Sequence, residues 1–514
     1  MASVVLINGK IVTVDEQFSI VEAVAIDGER ITATGFNADV LACAGPGPGV
    51  TVVDLDGMTV IPGLIDNHNH FVRASEHAEV RLEGVRSRAQ ALDALRSAGS
   101  SLPAGQWLVA LGGWHEEQWV GDRSEFTVAE LDAVAEGRPA FVMAEYDHAV
   151  VNTAWLDAMG LPAEAETRAT GRIGGGIVAL NGAVAAFPRP ADREATAKAA
   201  ASWYNSVGLT TVFDPGGVGV PVEAYTTVAD LAERGELTLR VLTTLGDGAS
   251  GRGPGHAAAM AERLRDCRPF EGDHWHDRIA LGEIYYAAFH WDHPGIEPSP
   301  TEADIAGADE ILAAAASSGW PVQTHSVTTA GLDLVFDAYE RADRVRPIRP
   351  LRWTVTHAEG ITPVQIERAR RLGVVVQLRS MGVIRAQPIA PAPLRMLADS
   401  GLSWGLGTDG TRAAQINPFV TLWWAVTGQS MGGSQILDET LSREEALIAH
   451  TRSNAHLMFR ESHLGSIRPG LLADLLVLDR DYLTVPVDEI RDIRPVATMV
   501  GGQVVHGTLA PRRS

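Results

Sequence analysis

The chain is poor in cysteine and lysine, and each scarcity excludes something. Cys43 and Cys267 are the only cysteines among 514 residues, too few for a disulfide framework or a thiolate metal site. Lysine occurs only at Lys10 and Lys198, so nearly all basic charge is arginine. Basic residues are themselves short: 42 Lys and Arg face 64 Asp and Glu, for a formal net charge of −22. That balance argues against a nucleic-acid partner, whose phosphates demand a basic surface, and against an anionic membrane surface. No apolar run approaches the ~20 residues of a membrane span. The first apolar run, Val4-Val5-Leu6-Ile7, has no basic stretch before it of the kind a secretory signal carries. A cytoplasmic protein is expected. The remainder is ordinary: 46% hydrophobic and 21% charged residues suit a globular chain, and the length allows more than one domain.

Residues 3–60 read as short strands and turns. Val4-Val5-Leu6-Ile7 and Lys10-Ile11-Val12-Thr13-Val14 flank Asn8-Gly9, a hairpin signal. Ala23-Val24-Ala25-Ile26, Asp27-Gly28 and Arg30-Ile31-Thr32-Ala33-Thr34 repeat it, and a further strand is expected near 52–56. This predicts a small β module without helices. The C-terminus has the same texture, with strands at 473–479 and 497–505, the latter turning at Gly501-Gly502. Strands from the two ends are therefore expected to pair into one module, residues 1–59 with 461–514.

Between them apolar strands alternate with helical stretches, the pattern of a parallel α/β fold. Strands are expected near 60–66, 209–213, 239–245, 279–286, 321–325, 352–357, 374–378 and 404–408. Eight such strands make a (β/α)8 barrel of the TIM type over residues 60–460. The first connection is too long for one helix. Residues 75–195, with further strands near 107–112 and 139–145, read as an insertion that serves as a lid or pocket wall.

The strand ends carry the chemistry. The first runs into His68-Asn69-His70; alternation along a strand puts both imidazoles on one face. The fourth carries Glu283, the fifth ends in His325, the sixth in His357 and the eighth in Asp409. In a barrel these C-terminal ends form the active-site mouth. Four histidines and two carboxylates there are ligands for zinc, manganese or iron. Each has a plainer alternative: a hydrogen-bonded histidine, a buried ion pair at Glu283, a turn at Asp409-Gly410. Their shared position at successive strand ends favours the metal.

The stretches Pro62-Gly63-Leu64-Ile65-Asp66-Asn67-His68-Asn69-His70, Thr324-His325, Thr356-His357-Ala358-Glu359, Gly407-Thr408-Asp409 and Gly465-Ser466-Ile467-Arg468-Pro469-Gly470 together resemble the amidohydrolase superfamily of metal-dependent hydrolases. The resemblance spans nearly the full length and points to the branch that includes N-substituted formamide deformylases. It implies a distorted barrel plus a β-sandwich built from both termini. Many members bridge two metals with a carboxylated lysine on the fourth strand. Glu283 stands at that position here, and neither Lys10 nor Lys198 falls there. The resemblance thus implies one or two divalent ions, Zn2+ first, with Mn2+ or Fe2+ as alternatives. In the two-ion form His68 and His70 hold one ion, His325 and His357 the other, and Glu283 bridges.

The expected reaction is hydrolysis of a C–N bond in a small apolar or aryl amide, N-substituted formamide or cyclic amide by metal-activated hydroxide. Asp409 is expected to bind metal and serve as general base, then acid. Alternatives are a mononuclear deaminase, an esterase or lactonase, and, more remotely, a metal-free binding protein. Substrate contacts are expected from Trp114, His115 and His148 in the insertion and from Tyr286 and His290 after the fourth strand. For Trp114 and His148 the alternative is packing of the insertion against the barrel. Arg379, beyond the seventh strand, is a candidate for an anionic substrate group or an ion-pair partner of acidic residues. Beyond a small-molecule substrate, a homodimer is the one partner allowed for.

Overall fold

A computed structural model describes residues 3–44, 49–103, 105–160, 166–216, 220, 222–245, 255–270, 278–281, 298–380, 382–385 and 391–509. Its centre is two four-stranded parallel sheets. One orders Arg278–Leu281, Arg240–Leu245, Leu209–Asp214 and Leu64–Asp66; the other orders Gln323–Ser326, Thr354–His357, Val375–Arg379 and Trp404–Gly407. Each strand lies within or beside a stretch expected from the apolar runs. Helices such as Glu302–Ser318 and Pro363–Leu372 connect the strands, the first capped by Thr301 and Asp304, the second by Thr362 and Gln365.

The two sheets meet where the first strand lies beside the eighth. Asn454 donates to Ile65 O at 2.6 Å and to Leu406 O at 2.7 Å, so one amide spans both strands. Asn67 donates back to Asn454 at 2.7 Å and accepts from Gln377 at 2.8 Å. Beyond the strand ends Asp409 N donates to His68 O at 2.9 Å and His70 N to Gly410 O at 2.6 Å.

The opening strand differs from expectation. It is two strands, Thr59–Pro62 and Leu64–Asp66, in different sheets. Thr59–Pro62 pairs with Leu475–Leu478 and Lys10–Val12 in a six-stranded sheet that also holds Pro495–Val500 and Gln503–Gly507. Both ends of the chain thus share one sheet. The chain crosses over at Gly63, where a Cβ would lie 2.3 Å from Thr210 Oγ1; only glycine fits.

The Asn8-Gly9 hairpin does not form either. Val4–Ile7 pairs with Ala23–Asp27 and Thr51–Asp54, whereas Lys10–Val12 joins the other sheet. Asn8 is in the left-handed region at φ 55° and is held by Asn37 and Asp54. A tertiary contact, not the turn alone, sets the path. The module also contains a helix, Asn37–Ala44, where none was expected.

The insertion forms its own sheet, ordered Arg172–Gly174, His148–Val151, Ala140–Ala144, Leu108–Leu111. Two of these strands were expected. Arg172–Gly174 and His148–Val151 were not. Trp114, Trp119 and Phe126 fill the core on one side of the sheet. Gly112 and Gly113, at φ 86° and 74°, press against the loop after the eighth barrel strand, and Gly113 N donates to Arg412 O at 3.2 Å. No helix among the described residues is long and apolar enough to cross a membrane.

Candidate metal centre

His68 and His70 follow a strand that ends two residues earlier, at Asp66, so strand alternation does not aim them. Loop hydrogen bonds do. Asn69 N donates to Phe213 O at 2.9 Å on the second barrel strand, and the bonds to the eighth-strand loop fix the other side. The rings of His68 and His70 stand edge to face, 5.4 Å apart. The Nδ1 of His70 lies 2.7 Å from Gly216 O, which makes that nitrogen the donor and leaves Nε2 with its lone pair, 3.2 Å from Asp409 Oδ1. His68 Nε2 is 3.5 Å from the same oxygen.

His325 and His357 lie on adjacent parallel strands with His325 opposite Thr356 and His357 opposite Ser326. Strict alternation would turn the two imidazoles to opposite faces. Left-handed backbone at His357, φ 73°, and Ala358, φ 50°, ends the alternation, and the rings are 4.6 Å apart. His357 is also 4.7 Å from the His68 ring. Asp409 too is left-handed, at φ 60°. Such backbone is uncommon outside glycine and is held only where the surroundings demand it.

One ligand atom each from His68, His357 and Asp409 lies within 4.8 Å of the others, and all three side chains are buried. Four-coordinate zinc with bonds of 2.0–2.1 Å holds its ligands about 3.3 Å apart, which the 3.2 and 3.5 Å separations at Asp409 match. Protonation agrees. Burial pushes His68 down to about 3 despite the Asp409 charge, and burial and Arg379 hold His357 well below the ordinary range. Burial alone would raise Asp409, but its contact with the His70 ring and the Arg379 charge outweigh it and hold the carboxyl well below the ordinary carboxylate range. Neutral imidazoles around an anionic carboxylate are the donor set a divalent cation takes, so the residues fit the expected metal.

Arg379 is engaged inside the protein. Its Nε donates to Glu359 at 2.7 Å and its Nη1 to Asp409 Oδ2 at 2.5 Å. It ties the end of the seventh strand to residues after the sixth and eighth and leaves Oδ1 of Asp409 facing the histidines. Asp66 carried no expected role, yet it is the residue beneath the site. Its carboxylate accepts from Thr408 Oγ1 at 2.5 Å, Asn69 Nδ2 at 2.9 Å, Thr408 N at 3.0 Å and His68 N at 3.3 Å. One side chain therefore sets the backbone of both His68 and the segment leading to Asp409. An acidic residue within a buried apolar strand was the available signal.

Of the expected substrate contacts, Trp114 is buried and stacked on Trp119 at 5.4 Å, within the core of the insertion. His115 and His148 sit at the C-terminal edge of the same sheet, their rings 6.2 Å apart. Glu283, Tyr286 and His290 lie outside the described residues.

An N-substituted formamide deformylase of Arthrobacter pascens is 27% identical, with 98% of each chain covered. A solved structure of an uncharacterized metal-dependent hydrolase from Pyrococcus furiosus superposes with a TM-score of 0.64 at 22% identity, covering 94% of this chain and all of that one. The triazine hydrolase of Arthrobacter aurescens superposes at 0.53 with 18% identity, covering 99% and 97%. These likenesses give a TIM-barrel-type fold. The amidohydrolase family matches residues 51–506, and the chain belongs to that family.

Proposed function

We propose that this protein hydrolyses a C–N bond of a small, apolar or aryl amide, N-substituted formamide or cyclic amide at the His68–His357–Asp409 centre. The observation that carries the proposal is the convergence of those three buried ligands at the ends of barrel strands, in a chain of the amidohydrolase family. The likeness to a formamide deformylase over both full lengths supports the choice of bond. In this reading the two parallel sheets close as one (β/α)8 barrel, with the sheet shared by both termini as one face of a β-sandwich.

His68, His70, His325, His357 and Asp409 would hold the metal, with Glu283 as bridge if two ions bind. A divalent ion at such a site, Zn2+ by preference, activates water near neutral pH and polarises a carbonyl. The protein's own residues do the rest. Asp409 Oδ1 takes the proton of the attacking water and delivers it to the departing amine. Arg379 fixes Oδ2, so one oxygen is available for that transfer. Asp66 holds His68 and Asp409 in register, and the backbone carbonyl of Gly216 sets the tautomer of His70. Tyr286 and His290 are the expected substrate contacts on the loop after the fourth strand.

The test is a screen of N-formyl, N-acyl and cyclic amides with metal-reconstituted protein and a chelator control. Chelator-sensitive amide cleavage is expected. Ester or lactone cleavage with no amide turnover would overturn the bond assignment, as would release of ammonia from an aminated ring by a chain holding a single ion.

A further inference from the structure

A second cluster of metal-ligating side chains lies in the insertion, away from the barrel centre. We propose that His115, Asp147 and His148, assisted by Glu116, form a second divalent-cation site of zinc type. The inference gives His115 and His148 a role other than substrate contact and does not depend on the reaction proposed above.

The geometry carries it. Parallel strands Leu108–Leu111 and Ala140–Ala144 end side by side, and the loops beyond them bring the four residues to one place. Ligand atoms of His115, Asp147 and His148 all lie within 4.8 Å of one another. His148 Nδ1 is 2.9 Å and His115 Nε2 is 3.8 Å from Asp147 Oδ2. The Glu116 carboxylate lies between the imidazoles, Oε1 3.3 Å from His148 Nε2 and Oε2 3.7 Å from His115 Nε2. One ion takes one nitrogen of each ring. His148 Nε2, 3.3 Å from Glu116 Oε1, matches the ~3.3 Å between ligands of a tetrahedral zinc ion while Asp147 holds the other nitrogen. Binding at His115 Nε2 moves the ring proton to Nδ1, displacing its 3.2 Å bond from Glu117 N.

A second observation is independent of the spacing. His115 is 7% exposed and His148 2%. The Nε2 of each, and Glu116 Oε1, are buried with no hydrogen bond of proper geometry, despite the close approach of the last two. Buried polar atoms of this kind are rare in native proteins and call for a missing partner. Charge points to a cation. Glu116, Glu117, Glu125 and Asp147 surround the two histidines, against the guanidinium groups of Arg172 and Arg385. Two imidazoles and two carboxylates are donors that suit Zn2+ over Ca2+ or Mg2+, which take oxygen alone.

The site would brace the insertion against the barrel. Arg385, after the seventh barrel strand, pairs with Glu145 at 2.6 Å and approaches Asp147 at 3.9 Å. The ion would fix the loop that receives this arginine.

The experiment counts metal in the full chain after Zn2+ loading and desalting. A barrel variant, His68→Ala with His357→Ala, is compared with the same variant carrying His115→Ala and His148→Ala. About one zinc per chain is expected in the first beyond the second, and Co2+ loaded into the first should show the visible bands of a four-coordinate ion. Asp147→Asn with His148→Gln serves as a milder pair should the alanines disturb folding, judged by far-UV circular dichroism. Equal zinc in folded variants with and without the lobe histidines overturns the proposal and leaves an ion-pair cluster. Loss of hydrolysis in a barrel variant that keeps its lobe zinc bears on the barrel alone.

Discussion

Asp66→Asn separates the two things a buried carboxylate does. The wild-type side chain is fully buried and accepts four hydrogen bonds. An amide keeps one acceptor oxygen and turns the other position into a donor. Placed at Oδ1 it faces two backbone N–H groups, which cannot turn away. Placed at Oδ2 it faces Thr408 and Asn69, and Asn69 cannot flip because its Oδ1 accepts from Tyr204 at 2.6 Å. Either way at least one buried donor loses its acceptor, at about 1–3 kcal/mol. Against that, the charge disappears. Burial pushes Asp66 up to about 6 from 3.8 although all four donors pull it down. At about 1.4 kcal/mol per pKa unit, ionisation costs the native state roughly 3 kcal/mol at neutral pH.

The two effects offset, so apo Asp66→Asn should unfold within about 2 kcal/mol of wild type at pH 7. Metal affinity has no such offset, because position is what the site loses. A fall of about 10–100-fold is expected, the usual cost of removing a group that orients a ligand. The assays are unfolding of the apo chain followed by tryptophan fluorescence and competition for Zn2+ with a chromophoric chelator. The pH dependence is a further check. Between about pH 4 and 6 the unfolded carboxyl is ionised and the folded one protonated, so wild-type stability falls as pH rises; the variant lacks that slope. Wild-type metal affinity in Asp66→Asn would falsify the positioning role, and a stability loss above about 4 kcal/mol would show that the carboxylate outweighs its own desolvation.

Asp409→Asn should lower turnover on any substrate the screen identifies by about 10²–10⁴-fold, with the far-UV spectrum unchanged; near-wild-type rates would remove Asp409 from proton transfer. The Glu83 side chain is buried, both of its oxygens lack a hydrogen bond, and burial lifts it to about 8 although Arg81, 4.0 Å away, pulls it down. Its folded pKa exceeds the unfolded value, so wild-type stability falls between about pH 4.5 and 8. Glu83→Gln should flatten that fall and melt higher than wild type at pH 8, and an unchanged pH profile refutes it. Gly63→Ala puts a Cβ 2.3 Å from Thr210 Oγ1 and 2.6 Å from its Cγ2, expected to cost about 1–3 kcal/mol. Adding Thr210→Ala should restore part of it; strict additivity in unfolding free energy would place the strain elsewhere.

What could be read from the sequence was whatever local pattern fixes. Most of the parallel strands lie in apolar runs bounded by turns, and His68, His70, His325, His357 and Asp409 stand at or near strand ends, so their shared end of the fold was legible. The loop bonds and left-handed backbone that aim them were not. What could not be read depends on partners distant in the chain. Asn8-Gly9 has the residues of a hairpin turn, yet Asn37 and Asp54 send its two strands into different sheets. The run 60–66 looks continuous because both halves are apolar; its break is caused by Thr210, which no window around Gly63 contains. Arg379 gave no sign of which anion it would meet, since Glu359 and Asp409 reach it from neighbouring strands.

These long-range contacts make closure and site assembly one event. Asp66 and Thr408 are 342 residues apart, and their bonds form only when the eighth strand arrives beside the first. The same approach brings Asp409 to His68 and His70, and completes the Asn454 bridge between Ile65 and Leu406. Loop closure over so long a stretch costs entropy that no local contact offsets. The seam is held by a handful of polar groups, each of them buried and each shared between the two strands. A ligand bound there stabilises the closed form by its own binding free energy and does nothing for the open chain. A cation at His68, His357 and Asp409, as proposed, would therefore serve as catalyst and clasp together. That double duty would account for the way the polar residues nearest the ligands, Asp66, Asn69 and Thr408, bind one another across the seam and leave the site itself to the histidines.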